Sequence, residues 1–140
     1  SVPMEVSDGL LAAAKANDHL AYELVNGWAT SPGKQLGGNT VPGQWLLGVS
    51  MRLMERNAPG VFHAGLAACH AWTGGLEAAA AVRCPALVLL AARDLMAPPR
   101  AAKTLIGALA DVRTATLPDT GHAMMAEQPD AVLDQLRAFL

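Results

Sequence analysis

The sequence predicts an α/β protein in which a helical region, residues 1–84, precedes a β-α-β-α unit with two parallel strands, residues 85–140. One observation is the continuous apolar run at residues 86–92, which is typical of a strand buried on both faces. A second is the Val- and Thr-rich run at residues 112–117, which indicates another strand. Helical periodicity lies between and after these runs, and a right-handed crossover makes the two strands parallel.

The helical region is predicted from apolar residues that recur at helical spacing. A first helix is expected over about residues 8–29, with Ser7 as its N-cap. Glycine and proline make residues 30–43 a loop. Two further helices and a short helical turn are expected at Trp45 to Met54, Val61 to Trp72 and Glu77 to Ala80.

In the β-α-β-α unit, the crossover helix is expected at residues 98–110, with proline in its first turn. Gln128 is a candidate cap for the closing helix, because Pro129 then takes the first helical position. The closing helix carries an apolar stripe of Val132, Leu133, Leu136 and Phe139.

Composition excludes several classes of function. The net charge of −2 with scattered basic residues argues against nucleic-acid binding. No apolar run approaches the roughly 20 residues that span a bilayer, and the N-terminus shows no signal-peptide pattern. Cys69 and Cys84 do not form a disulfide framework, so a cytoplasmic compartment is expected.

Asp94 and His122 each follow the end of a predicted strand. Neighbouring parallel strands end at the same edge of a sheet, so the two side chains can meet there. A carboxylate in contact with an imidazole fixes its tautomer and stabilises its protonated form. Spacing alone leaves a second interpretation open, in which a surface Asp and a loop His never touch.

Two segments carry a resemblance to a known family. Residues 84–98 combine a proline, an apolar strand, an Asp and a further proline, and residues 117–129 combine Gly121-His122 with a following Glu and Pro. Both resemble the last strands of the α/β-hydrolase fold, and residues 132–140 resemble its closing helix. Ala91 stands where that family usually has glycine.

The resemblance implies a partial α/β-hydrolase fold in which Asp94 is the acid and His122 the general base of a catalytic triad. Residues 1–84 then resemble the cap, or lid, that many members insert before the seventh strand. Glu127 is expected to support the loop or the start of the following helix. The implied chemistry requires no cofactor.

The family's nucleophile is not apparent in this sequence. It is usually presented on a sharp strand-to-helix turn, most often as Gly-x-Ser-x-Gly. Ser50 lacks the second glycine and a preceding strand, Ser7 is better explained as a cap, and Ser31 lies in the predicted loop. Ser1 is a weak candidate for an N-terminal nucleophile. A truncated or split enzyme, inactive as this chain alone, is therefore expected, with the missing N-terminal half as its partner.

Four apolar side chains of the helical region, together with Met124 near His122, are candidates for binding substrate beneath a cap, although core packing is the favoured interpretation. His63 and His70 share a helix face near Cys69, but their spacing does not match a metal site, and none is expected. The substrate-binding candidates are Trp28, Trp45, Met51, Trp72 and Met124.

Three functions remain open from the sequence. The first is hydrolysis of a small-molecule carboxylic ester or similar acyl substrate. The second is a catalytically inactive binding or assembly module, which forms a homo-oligomer or binds a partner through the bare edge of its first strand. The third is another chemistry on the same fold, as in a dehalogenase, an epoxide hydrolase or a lactonase, and the identity of the nucleophile decides among these.

Overall fold

The computed structural model describes residues 4–38, 40 and 42–140, so Ser1 lies outside the described residues. The two strands are β1 (Ala86–Ala91) and β2 (Val112–Leu117). Among the described residues, the helices are α1 (Asp8–Lys15), α2 (His19–Ala29), α3 (Pro32–Gln35), α4 (Leu46–Met54), α5 (Val61–Ala71), α6 (Gly75–Ala81), α7 (Lys103–Ala108), α8 (Met124–Glu127) and α9 (Pro129–Phe139).

The sheet confirms the predicted pairing. Strands β1 and β2 are parallel, and their register places Ala86 opposite Val112 and Ala91 opposite Leu117. The backbone N–H of Ala92 donates to the carbonyl of Leu117, which extends the ladder by one hydrogen bond. Both strands therefore end level with each other, and the loops that follow them leave from one edge of the sheet.

The prediction of a single helix over residues 8–29 is wrong, because the helical structure is interrupted between α1 and α2. Asn17 adopts a left-handed backbone with φ of 55°, which asparagine tolerates better than most residues. Asp18 then caps α2, since its side chain accepts a hydrogen bond from the N–H of Leu20. The amide oxygen of Asn17 accepts from the N–H of Gly60, which ties this break to the start of α5.

Smaller differences concern helix ends. The predicted loop at residues 30–43 contains the short helix α3, which has Pro32 at its first turn. The crossover helix begins as a 3-10 turn, Pro99–Ala102, before α7. The short helix α8 precedes α9, and Pro129 opens α9 as predicted, although the Gln128 side chain does not cap it.

The apolar core of the helical region is small. Leu10, Ala14 and Ala21 are buried where α1 packs against α2 and α5. In the described part of the chain, the largest fully buried side chains are polar, namely Glu127 and Thr120. No described helix combines the length and the apolar character that a membrane span requires.

Candidate active site

Asp94 lies in the loop after β1 and is only 6% exposed. Its Oδ1 accepts hydrogen bonds from the backbone N–H groups of Met96 and Ala97, both at 2.8 Å. These two donors stabilise the carboxylate and fix its plane. Its Oδ2 is thereby directed across the edge of the sheet toward the loop after β2.

His122 lies in that second loop, and its Nδ1 is 2.9 Å from Oδ2 of Asp94. The contact expected from the parallel topology is therefore present. The Asp94 side chain is 4% exposed, whereas the His122 side chain is 46% exposed. A proton on Nδ1 donates to the carboxylate and leaves a lone pair on Nε2, which has no hydrogen-bond partner among the described residues.

The two loops also contact each other directly. The backbone N–H of Arg93 donates to the carbonyl of Thr120 at 2.8 Å. The Thr120 hydroxyl donates to the carbonyl of Pro118 and accepts from the side chain of Gln128. These bonds fix the relative position of the two loops through backbone groups next to Asp94 and near His122.

Gly121 is required by close approach rather than by a special backbone angle. Its sequence position indicated a sharp turn, but its φ does not lie in the left-handed region. A Cβ placed on Gly121 would lie 2.6 Å from the Ser31 nitrogen, 2.7 Å from Oε1 of Glu127 and 2.8 Å from the Ala29 carbonyl oxygen. Only glycine fits this space without displacing backbone atoms.

Glu127 supports the His122 loop, as the sequence predicted, and it also holds a segment that the sequence did not implicate. Its carboxylate is 0% exposed and accepts from the N–H of Gly121 at 3.0 Å. The N–H and hydroxyl of Ser31 also donate to it, at 3.1 and 2.5 Å. No local signal could reveal the contact with Ser31, which lies 96 residues away in sequence.

An open cleft of about 540 Å³ lies beside Asp94 at the carboxyl end of β1. Apolar and prolyl groups form most of its wall, and two guanidinium groups border it. The lining residues are Pro32, Ala92, Arg93, Asp94, Leu95, Pro98, Pro99 and Arg100.

The structure separates the predicted substrate-binding side chains from this cleft, because none of the five lines it. Trp28, Trp45 and Trp72 are 38%, 70% and 56% exposed, so the interpretation that they form the core is wrong. Trp45 packs its ring over Gly48 and borders a second cleft, of about 360 Å³. Met51 and Met124 are half-buried, and Met124 begins α8 two residues after His122.

The serines of the described residues do not lie on a strand-to-helix turn. Ser7 caps α1, Ser31 is buried against Glu127, and Ser50 lies within α4. The described residues also contain no group of three His, Cys, Asp or Glu side chains that could hold a metal ion. His70 instead accepts a hydrogen bond from the backbone of Val6.

A family model described as "Alpha/beta hydrolase family" matches residues 5–135. No curated protein sequence matches the chain. Similar solved structures of low sequence identity share the fold. They include Est816, described as an N-acyl homoserine lactone degrading enzyme, with a TM-score of 0.77 and 17% identity over 96% of this chain and 52% of that one.

Two further structures match in the same way. The esterase EaEST from Exiguobacterium antarcticum has a TM-score of 0.75 and 12% identity over 94% of this chain and 46% of that one. MGS-M2, an alpha/beta hydrolase enzyme from a Medee basin deep-sea metagenome library, has a TM-score of 0.74 and 20% identity over 99% and 53%. The chain thus spans about half the length of the solved structures that it matches.

Proposed function

This chain belongs to the alpha/beta hydrolase family, and on that premise we propose that it supplies the acid and the base of a catalytic triad in a carboxylic ester hydrolase. Asp94 is the acid and His122 is the base. The observation that carries the proposal is the 2.9 Å contact between a buried carboxylate and the Nδ1 of an imidazole whose ring is half exposed. The nucleophile comes from the half of the fold that this chain does not contain.

In the proposed reaction, Nε2 of His122 takes the proton from a nucleophilic hydroxyl as its oxygen attacks the ester carbonyl. Asp94 stabilises the imidazolium that forms. The imidazolium then protonates the departing alcohol, which leaves an acyl-enzyme. Water attacks this intermediate with His122 again as the base, and the carboxylic acid is released as the nucleophile regains its proton.

The choice of an ester substrate is supported by two kinds of observation. The cleft beside Asp94 is largely apolar and lies at the carboxyl end of β1, where ligands bind in open α/β sheets. Several proteins of the same fold are described as esterases, and Est816 as a lactone-degrading enzyme. A lactone is a cyclic ester, so it is the second substrate to test.

The helical region, residues 1–84, is proposed to act as the cap over this cleft. Its exposed Trp45 and Trp72 and its half-buried Met51 do not line the cleft itself, and they are proposed to offer apolar surface to a part of the substrate that extends beyond it. Trp28 and Met124 are the remaining candidates for this contact. Substitution of Trp45 by alanine is expected to raise KM more than it lowers kcat.

The decisive experiment supplies the other half of the fold. DNA sequence upstream of the codon for residue 1 tests whether the same gene encodes that half, and a fusion to the N-terminal half of a structural relative provides it in either case. We expect the completed protein to hydrolyse a short aryl ester. His122→Ala is expected to lower kcat by at least about a thousandfold.

His63→Ala is the matched control, because His63 lies on α5 and makes no contact with Asp94. Activity that survives His122→Ala would refute the role of the base. Activity on halogenated alkanes or epoxides, with no activity on esters, would instead assign the third chemistry and an aspartate nucleophile.

A second candidate function is assembly through the sheet. In the described part of the chain, β1 pairs only with β2, so its other edge carries unpaired backbone groups. The residues of β1 from Ala86 to Leu90 are only half-buried. An edge of this kind binds another strand, from a second copy or from the missing half. Light scattering that shows a clean monomer at high concentration would count against self-assembly.

A further inference from the structure

We propose that residues 29–31 position His122, and that they do so through the buried carboxylate of Glu127. This inference rests on the proposed function only in treating His122 as the base. Residues 29–31 link α2 to α3 in the helical region, far in sequence from both strands. They contact the His122 loop on both sides of the histidine.

On the side before His122, the N–H of Gly121 donates to Oε2 of Glu127, and the Ser31 hydroxyl donates to the same oxygen. On the side after it, the N–H of Ala123 donates to the carbonyl of Ala29 at 2.9 Å. The residues on either side of His122 are therefore both anchored to a single three-residue segment, the N–H of Gly121 through Glu127 and the N–H of Ala123 directly.

The packing around Gly121 makes this anchoring tight. Backbone atoms of Ser31 and Ala29 and a carboxylate oxygen of Glu127 occupy the space that a Cβ would take. A shift of residues 29–31 toward the loop must therefore displace Gly121, the residue before His122, because densely packed atoms leave no space to absorb it.

The polar groups of this contact are also deeply buried. Glu127 is 0% exposed, and Thr30 and Ser31 are each 3% exposed. Breaking one bond leaves a buried group without a partner, so the network tends to form or break as a unit.

The test reads the imidazole of His122 in the isotope-labelled chain by NMR, which does not depend on activity. A ring held by Asp94 keeps its proton on Nδ1, so its two nitrogen shifts are widely split at a pH where the ring is neutral. Ser31→Ala removes one donor to Glu127 and is expected to reduce this split strongly while the protein stays folded. Ser50→Ala makes the same substitution on α4 and is expected to leave the split unchanged.

Glu127→Gln provides a second variant for the same NMR measurement, because it places an amide donor opposite the N–H groups that bind the carboxylate in the parent protein. Thermal unfolding of each variant identifies the temperature range in which it is folded, and spectra are recorded within that range. A split equal to that of the parent protein in either folded variant would overturn the proposal. A purely structural role lowers the unfolding midpoint without changing the tautomer.

In the completed enzyme, the proposal predicts that Ser31→Ala lowers kcat by about tenfold or more with little change in KM, because it disturbs orientation rather than substrate binding. Ser31→Thr keeps the hydroxyl and is expected to restore most of the kcat. If the NMR split collapses in Ser31→Ala but His122→Ala stays active, the positioning contact is real and the proposed function fails instead.

Discussion

The loops at the end of the sheet and the strands that lead to them differ in how their side chains are buried. In these loops, Asp94 and Thr120 are polar, nearly inaccessible to water and supplied with hydrogen-bond partners, and so is Glu127 at the end of α8. In β1, the apolar residues from Ala86 to Leu90 remain half-exposed. The buried polar groups near Asp94 and His122 thus find their hydrogen-bond partners within this chain, whereas one face or edge of β1 remains uncovered.

This difference indicates that the contacts of the candidate site do not depend on the missing half of the fold. Buried polar groups require partners, and here those partners come from the chain itself. A two-stranded sheet, in contrast, gains independent stability only when further strands or helices cover it. Substitutions in the two regions should therefore respond differently when the other half of the fold is added.

The largest expected effect is at Glu127. Glu127→Gln should destabilise the folded chain by about 3 kcal/mol or more, because it places a donor against the buried N–H groups of Gly121 and Ser31. Chemical unfolding measures this change. Glu77→Gln on the exposed surface of α6 should change stability by less than about 0.5 kcal/mol. Equal effects at both sites would show that the buried contacts of Glu127 do not stabilise the fold.

Two strand leucines, one buried next to the His122 loop and one half-exposed, sharpen the comparison. Leu117 is 4% exposed at the end of β2, and Leu117→Ala should cost about 3 kcal/mol. Leu89 lies in the half-exposed part of β1, and Leu89→Ala should lower the free energy of unfolding by about 1 kcal/mol. Adding the other half of the fold should raise the stability loss of Leu89→Ala toward that of Leu117→Ala. Calorimetry of both variants with and without that half measures the change.

Gly121→Ala should cost about 2 kcal/mol, because its new methyl group meets two backbone atoms and a carboxylate oxygen. A methyl group on Gly107 in α7 would lie within 4 Å of no atom beyond its chain neighbours and the backbone of its own helix, and Gly107→Ala should stabilise the chain by up to about 1 kcal/mol. Opposite shifts in the thermal unfolding midpoint are the expected result. A stabilised Gly121→Ala variant would show that the loop is not tightly held.

The smallest effect concerns pH and the exposed contact between α2 and α4. Hydrogen bonds to Glu55 and Glu23 raise the pKa of His19 above its ordinary value of 6.5. Bonds from His19 and Arg52 lower the pKa of Glu55 below 4.5. The stability that His19 contributes is complete below pH 6.5 and is lost as pH rises through its raised pKa. The stability that Glu55 contributes is complete above pH 4.5 and is lost as pH falls through its lowered pKa.

The contact should therefore stabilise the chain most between pH 4.5 and 6.5. In His19→Gln, the difference in unfolding midpoint between about pH 5.5 and about pH 8.5 should become smaller. An unchanged difference would assign the pH dependence to another group. Because both partners are exposed, the effect should also weaken as salt is added.

Local patterns predicted much of the fold. The apolar run before Asp94 and the Val- and Thr-rich run before His122 are both strands, and Pro129 opens the closing helix. Their parallel pairing followed from the crossover rule, and the contact between the two side chains followed from the pairing. These inferences depend on short segments and on chirality, which a sequence carries directly.

The remaining features depend on packing between distant segments. The sequence predicts that the helix continues through Asn17, because it does not reveal the contact between Asn17 and Gly60. The sequence position of Glu127 predicts that it supports the nearby His122 loop, and the position of Ser31 predicts an ordinary loop serine. Neither position reveals that the two side chains are buried against each other. The exposure of Trp45 and Trp72 could not be predicted either, since a helical stripe does not reveal whether another element covers it.

The register of the two strands has a further consequence. With Ala91 opposite Leu117, Asp94 and His122 start from the same level although their loops differ in length. A slip of one residue would move one loop by about 3.3 Å along the sheet and turn its strand over. The backbone hydrogen bonds between the strands therefore set the distance between Asp94 and His122, and an insertion inside either strand should separate the two side chains even where the chain still folds.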